Sequence, residues 1–260
     1  MKIFINKQEI SVDDGATVLE AALANGIDIP HLCYHPALPP YGACRVCLVE
    51  VEKNGRKRLT TSCTYPVNEG LVVRTDTEEV LKARRFTIGL LLMLAPEAEA
   101  IKQLAEKYEV TDRFKTRTAT SGCIRCGLCV RVCRELMGYE AIGFINRGAE
   151  RIPETPFSEN NPDCLACGAC AYLCPTGYIK VIDQKNRVIE SWHKEEELIG
   201  CRECGQRFAT GRLLQEVKEK LRELEMDDLL ELCPECRRKK NLSLTSFGQS
   251  SEVPKVPKVR

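Results

Sequence analysis

The chain has 260 residues, enough for two or three small domains. Lys and Arg number 38 against 37 Asp and Glu, a formal charge of +1, which gives no electrostatic reason to expect nucleic acid or an anionic membrane as a partner. The informative count is 16 cysteines, nearly all in regularly spaced groups.

Residues 2–6 alternate as Lys-Ile-Phe-Ile-Asn, a tight turn is expected at Lys7–Gln8, and Glu9 to Val12 resumes extended structure, together a hairpin. Thr17 to Ala24 reads as a helix closed by Asn25-Gly26, a helix-ending glycine signal. Val46 to Val51 and Arg58 to Ser62 read as strands on either side of an Asn54-Gly55 turn. A small mixed sheet wrapped over one helix follows from this order. Thr75 and Glu78 spell a capping box for a helix on which Val80, Ile88, Leu91, Leu92 and Ala95 share one face. Pro96 interrupts it, and a second amphipathic helix carries Ala98, Ile101, Ala105 and Tyr108.

From Cys123 to Pro175 the chain is cysteine-rich and internally repeated. Ile179 to Ile189 reads as a short hairpin turning at Asp183–Asn186, and a last helix is expected from Leu213 to about Leu232. Residues 241–260, rich in Ser, Lys and Pro, read as a flexible tail. The N-terminus alternates like a strand and carries no secretory pattern. The longest apolar run, Ile88 to Ala95, falls far short of the roughly 20 residues a bilayer requires. A cytoplasmic, reducing compartment is therefore expected, where cysteines at this density bind metal more often than they pair.

The cysteines fall into three constellations. In the first, ten residues separate Cys33 from Cys44, two separate Cys44 from Cys47, and fifteen separate Cys47 from Cys63. One close pair and two remote members suit a [2Fe–2S] rhomb, which needs two sulfurs on each iron; a structural zinc site is the competing reading. Gly42, just before the close pair, lets backbone amides approach the sulfides. His31 and His35 flank Cys33 and offer a histidine-ligand reading as the minor alternative, but four thiols already complete the set, so a hydrogen bond to sulfur is the role expected of either.

The second constellation is a doubled C-x2-C-x2-C-x3-C run: Cys123, Cys126, Cys129 and Cys133, then Cys164, Cys167, Cys170 and Cys174 followed by Pro175. In two-cluster ferredoxins the fourth cysteine of each run ligates the other cluster. One [4Fe–4S] cluster is therefore expected on Cys123, Cys126, Cys129 and Cys174, and a second on Cys164, Cys167, Cys170 and Cys133. Structural zinc is the weak alternative. The third constellation pairs Cys201 and Cys204 with Cys233 and Cys236 across 28 residues. Two such knuckles suit a tetrahedral four-cysteine site; zinc is the first expectation, an iron–sulfur cluster the second and a rubredoxin-like iron the third.

The stretch Ile29-Pro-His-Leu-Cys-Tyr-His-Pro36, followed by Gly42-Ala-Cys-Arg-Val-Cys-Leu-Val-Glu-Val51, resembles the N-terminal domain of the large iron–sulfur subunit of respiratory complex I. The same domain occurs in diaphorase subunits of NAD-linked [NiFe]-hydrogenases, in [FeFe]-hydrogenases and in NAD-dependent formate dehydrogenases. The resemblance implies a β-grasp ferredoxin whose [2Fe–2S] ligands are Cys33, Cys44, Cys47 and Cys63. It also implies a cluster with one histidine and three cysteine ligands after that domain. Here Ala95 stands where the histidine would be and Glu99 where the first cysteine would be, and no Cys or His occurs between Thr64 and Gly122. This intermediate cluster is expected to be absent, which leaves the link from the [2Fe–2S] site onward an open question.

The whole reads as an α+β chain. The expected division is a [2Fe–2S] ferredoxin-like domain at 1–75, a helical linker at 76–118, a two-[4Fe–4S] ferredoxin domain at 119–190, a four-cysteine module at 191–240 and a tail at 241–260. No GxGxxG and no P-loop occurs, so nucleotide binding is left to other subunits. By resemblance the expected function is a non-catalytic electron relay between a flavin- and NAD-binding diaphorase subunit and a hydrogenase or formate dehydrogenase subunit. Electron bifurcation with a soluble ferredoxin is compatible with such an assembly. The rival reading is a zinc-stabilised scaffold or nucleic-acid binder, which the near-zero charge and the lack of a basic, aromatic patch disfavour.

Overall fold

A computed structural model describes residues 1–53, 55–110, 122–222 and 227–245. They form two compact units. The first comprises Met1–Cys164, Gly168–Lys180 and Glu190–His193; the second comprises Leu165–Cys167, Val181–Ile189 and the described residues from Lys194 on.

The first unit opens with a five-stranded mixed sheet built from β1 (Lys2–Ile5), β2 (Gln8–Ser11), β3 (Leu48–Lys53), β4 (Arg56–Thr61) and β5 (Val72–Arg74), in the order β2-β1-β5-β3-β4. β1 and β5 run parallel and the other neighbours antiparallel. The alternation of Ile3 and Ile5 buries both beneath the sheet, where helix α1 (Val18–Ala24) supplies Val18, Leu19, Ala21 and Ala22 to the same core. This is the β-grasp order that the resemblance implies. Thr17 caps α1 as expected, with its side chain and that of Glu20 bonded reciprocally. The first hairpin turns at Asn6-Lys7, both with positive φ, rather than at Lys7–Gln8. The pairing of Ile5 with Gln8 leaves those two residues as the primed turn, which asparagine tolerates.

Helix α2 (Glu78–Leu94) follows, and its buried residues include the expected Val80, Ile88, Leu91 and Leu92. Its N-cap is Thr77, which accepts from the Val80 N–H, and not Thr75. Thr75 is instead committed to Asn6: its N–H donates to Asn6 Oδ1, and its Oγ1 accepts from Asn6 Nδ2. Helix α3 (Glu99–Lys107) packs back on α2. The repeat region contributes two one-turn helices, α4 (Leu128–Arg131) and α5 (Ala169–Tyr172), a π-helical turn at Val132–Met137, and a small hairpin of β6 (Gly143–Ile145) and β7 (Ile152–Glu154). No helix among the described residues is long and apolar enough to cross a membrane.

The second unit is organised on a four-stranded antiparallel sheet of β8 (Ile182–Asp183), β9 (Asn186–Ile189), β10 (Lys194–Gly200) and β11 (Arg207–Thr210), ordered β11-β10-β9-β8. The hairpin at Asp183–Asn186 matches the expectation, whereas β10 and β11 were not anticipated. The single helix expected over Leu213–Leu232 is interrupted: α6 (Gly211–Lys220) ends before Leu221, α7 (Asp227–Leu230) is one turn, and residues 223–226 lie outside the described set. Helix α8 (Pro234–Thr245) extends through residues 241–245, the first part of the expected tail; residues 246–260 lie outside the described set.

Candidate metal centres

The first cysteine set gathers at one edge of the β-grasp sheet. Cys33 leaves the loop after α1, Cys44 and Cys47 precede β3, and Cys63 sits in the 3-10 turn Ser62–Thr64 that follows β4. All four are buried, between 1% and 3% exposed. The Cys44 N–H donates to Cys33 Sγ at 3.4 Å. Hydrogen bonds from the Cys44 and Cys63 thiols pull the Cys33 thiol down to about 2, and one from Cys63 pulls Cys47 down to about 6. The donor role raises Cys44 and Cys63 in turn. Four buried, interacting thiols, two of them already thiolate-like, are a donor set that fits a [2Fe–2S] rhomb. The ring nitrogens of His31 and His35 engage backbone: His31 Nδ1 pairs with the Ile29 carbonyl at 2.9 Å, and His35 Nδ1 accepts from the Ala37 N–H.

Cys123, Cys126, Cys129 and Cys174, joined from sequence alone by the fourth-cysteine rule, line a single cavity. Apolar residues such as Phe144, Pro153, Tyr178 and Ile179 share its walls with Arg125 and Thr176. A room walled by four sulfurs and apolar groups fits a four-iron cubane. The two repeats share their backbone: Arg125 and Ala166 both have positive φ inside the first CxxC of their runs, and Gly127 and Gly168 both have φ near +80°. Such left-handed steps let the seven residues from the first to the third cysteine of a run curl around one centre.

The remaining central cysteines divide between the units: Cys133, Cys164 and Cys170 belong to the first and Cys167 to the second. Within the first unit, α5 packs against the π-helical turn that carries Cys133. Trp192, 1% exposed, donates its indole Nε1–H to Cys170 Sγ at 3.2 Å. Nothing in the sequence pointed to that contact, because Trp192 reaches the cysteine only through the fold.

Two buried arginines were likewise invisible in the sequence. Arg84 of α2 donates from Nε and Nη2 to the carbonyl of Leu48, the residue after Cys47, and from Nη1 to the Tyr108 hydroxyl. Burial lowers its pKa, as expected for a cation held by neutral acceptors. Arg131 of α4 donates to the carbonyls of Cys33 and Pro39, and its guanidinium lies 5.1 Å from the centroid of the Tyr41 ring. Gly127 meets the same ring, since a Cβ there would stand 3.1 Å from Tyr41 Cε1. The loop between Cys33 and Cys44 is thus seated on the turn that carries Cys126 and Cys129.

In the second unit, Cys201, Cys204, Cys233 and Cys236 converge, with all four Sγ atoms within 4.8 Å of one another. Backbone N–H groups of Cys204 and Cys233 hold the Cys201 thiol at about 6.

The folds and sites define an iron–sulfur protein. Residues 1–78 match the family model described as a 2Fe-2S iron-sulfur cluster binding domain, and residues 122–178 match a 4Fe-4S dicluster domain. A subunit of the NADH-quinone oxidoreductase of Rickettsia prowazekii (strain Madrid E) is 34% identical over 201 residues, which cover 68% of this chain and 29% of the relative. The alpha subunit of the NADPH-Fe(3+) oxidoreductase of Geobacter sulfurreducens is 35% identical over 204 residues, 68% of this chain and 24% of the relative. A chain in the crystal structure of an NAD+-reducing [NiFe]-hydrogenase in the H2-reduced state superposes with a TM-score of 0.53 at 31% identity, covering 59% of this chain and 74% of that one. The chain belongs to the family of iron–sulfur subunits that unites these proteins. It spans less than a third of the length of the curated relatives it matches.

Proposed function

We propose that the chain is an electron-relay subunit of a multi-subunit NAD(P)-linked oxidoreductase of the hydrogenase or formate dehydrogenase type. Its sites are read as one [2Fe–2S] on Cys33, Cys44, Cys47 and Cys63, one [4Fe–4S] on Cys123, Cys126, Cys129 and Cys174, a second on Cys164, Cys167, Cys170 and Cys133, and zinc on the C-terminal quartet. The domain division at 75, 118, 190 and 240, and a cytoplasmic location, belong to the same reading. When bound, such clusters supply reversible one-electron chemistry.

The observation that carries the reading is the seat of the Cys33–Cys44 loop on the α4 turn through Arg131, Tyr41 and Gly127. It supports a direct path between the first two cysteine sets, so the histidine-ligated centre of the resemblance is not needed as an intermediate between them. The chain's own residues do three things here. The four thiols of the β-grasp domain are buried away from water, Arg131 fixes the spacing of the two sets, and Trp192 and the backbone N–H groups donate to sulfur, which favours the more reduced, more negative charge state.

The names of the relatives support oxidoreductase partners that handle NAD(P)H; the partners in this reading are a flavin- and NAD-binding diaphorase subunit on one side and a hydrogenase or formate dehydrogenase subunit on the other. Exchange with soluble ferredoxin, and bifurcation, fit the same assembly. Anaerobic purification with metal and sulfide counts tests the reading. About 10 iron atoms per chain are expected from one two-iron and two four-iron clusters. A colourless protein, or one without a paramagnetic centre after reduction, overturns it.

A further inference from the structure

The four-cysteine sets differ in geometry. Cys123, Cys126, Cys129 and Cys174 stand around a cavity. Cys201, Cys204, Cys233 and Cys236 are drawn together, and among the described residues they are the one group of three or more potential ligands whose atoms all lie within 4.8 Å. The Cys204 and Cys233 sulfurs are 3.7 Å apart. Four thiolates at about 2.3 Å from one tetrahedral ion stand roughly 3.8 Å from one another. A four-iron core instead puts each thiolate on a different iron, with sulfides between them, and spreads the sulfurs apart. The C-terminal quartet has the spacing of one ion.

The local fold is built for it. Cys201 directly follows β10, and its N–H donates to the Gln206 carbonyl while its own carbonyl accepts from the N–H of Gly205, whose φ is +73°. From the other side, the Cys233 N–H donates to Cys201 Sγ at 3.2 Å and the Cys236 N–H to Cys233 Sγ at 3.5 Å. Among the described residues, the apolar partners of the buried cysteines in this cluster are Leu232, Phe208 and Leu229. So small a core does not order two knuckles without a bound ion.

The knuckle between Cys201 and Cys204 is also the turn of the β10–β11 hairpin. At the far end of β11, Thr210 is fully buried, and its Oγ1 donates to the Leu165 carbonyl at 2.7 Å. On β9, next to β10, Arg187 is gripped by both carboxylate oxygens of Asp183 and donates from Nη1 to the carbonyls of Ala166 and Cys167. The sheet thus holds three successive carbonyls of the strained loop that presents Cys167, where Ala166 has φ +50°.

We propose that Cys201, Cys204, Cys233 and Cys236 bind a single thiolate-coordinated divalent ion, zinc or iron, and that this ion braces the sheet that shapes the Cys167 loop. The bracing role rests on the reading that Cys167 is a ligand of the second [4Fe–4S] cluster; the single-ion geometry does not.

The test uses the full chain, purified anaerobically with its clusters. X-ray absorption at the zinc edge is expected to give one shell of four sulfurs at about 2.3 Å with no metal–metal shell. If the ion is iron, the same chain carries no zinc, one iron beyond the clusters, and, once that iron is oxidised to the ferric state, the visible bands of a rubredoxin-type centre. An iron count raised by four with no zinc overturns the proposal. For the brace, Cys204→Ser is expected to lose the ion and to release iron from one four-iron cluster to a ferrous chelator at least ten-fold faster. Thr210→Val, which leaves the cysteines intact, is expected to keep the ion and show the same lability, and Thr210→Ser to restore the slow rate. Unchanged release in Cys204→Ser after loss of the ion, or in Thr210→Val, overturns the brace. A wild-type chain with only one four-iron signal instead refutes the second-cluster reading and leaves the single-ion result standing.

Discussion

The Arg131 guanidinium donates from Nη1 to the carbonyl oxygen of Cys33 at 3.4 Å, joining residues 98 positions apart through a side chain only 4% exposed. A second bond to the Pro39 carbonyl and the Tyr41 ring complete the clamp. Charged hydrogen bonds of this kind contribute roughly 1.5–3 kcal/mol each. Arg131→Leu is therefore expected to loosen the seat of the [2Fe–2S] loop while the iron content stays unchanged. The measurement is paramagnetic relaxation between the first two centres in the reduced protein, which should weaken. Relaxation identical to wild type would mean that the clamp does not set their spacing.

Gly127 gives an independent probe of the same contact. Its φ of +77° disfavours any side chain, and a Cβ would press on Tyr41 at 3.1 Å. Gly127→Ala is expected to cost about 1–2 kcal/mol in denaturant unfolding. Adding Tyr41→Ala should recover the steric part and leave the backbone part. If the double variant is no more stable than expected from adding the two single effects, Tyr41 is not the obstacle.

Trp192→Phe keeps an aromatic ring in a fully buried site but removes the indole N–H that Cys170 Sγ accepts. Loss of a donor to sulfur penalises the reduced state. The midpoint of one [4Fe–4S] centre should move negative by on the order of tens of millivolts. An EPR-monitored redox titration reads this directly, and a positive shift would contradict it.

Arg84 is a buried cation whose hydrogen bonds all go to uncharged acceptors, the Leu48 carbonyl and the Tyr108 hydroxyl. The anionic cluster proposed on the neighbouring Cys47 would supply the missing counter-charge. Arg84→Gln should thus lower the [2Fe–2S] potential selectively, and Arg84→Lys should lower it less. Equal shifts in all centres would point to a general structural loosening instead.

Burial pushes the Cys126 thiol up to about 12 and raises Cys129 and Cys123 as well, from an ordinary value of 9.0. In the metal-free protein the folded state holds these protons more tightly than the unfolded chain does. The resulting stabilisation is complete below about pH 9 and is lost as pH rises towards 12, by up to ~1.4 kcal/mol per pH unit for each thiol. Denaturant unfolding of the metal-free chain at about pH 8 and about pH 10.5 should show the loss. The cluster-loaded chain, with those protons already displaced, should show little of it.

The sequence made the ligand spacing legible because cluster loops are local: the x2 and x3 intervals of the doubled run identify both repeats without knowledge of the fold. The α1 cap, the α2 core face and the β8–β9 hairpin were legible for the same reason. What stayed hidden depends on partners distant in sequence. Thr75 has the right spacing to cap α2, but Asn6 claims it across 69 residues, and the cap passes to Thr77. Arg84, Arg131 and Trp192 carry no local pattern at all. The strands β10 and β11 escaped notice because Glu195, Glu196 and Glu197 obscure the alternation of a strand that faces solvent on one side.

The cysteines are not equally sheltered. The N-terminal four are almost wholly enclosed, Cys133, Cys164, Cys167 and Cys174 are half-open, and Cys204 stands at the surface. Peroxide and molecular oxygen therefore meet the C-terminal and central thiols long before those of the β-grasp domain. Air damage in this chain has a built-in order: ageing preparations will lose the colour of the central clusters first, and the last colour to fade belongs to the ferredoxin fold at the front.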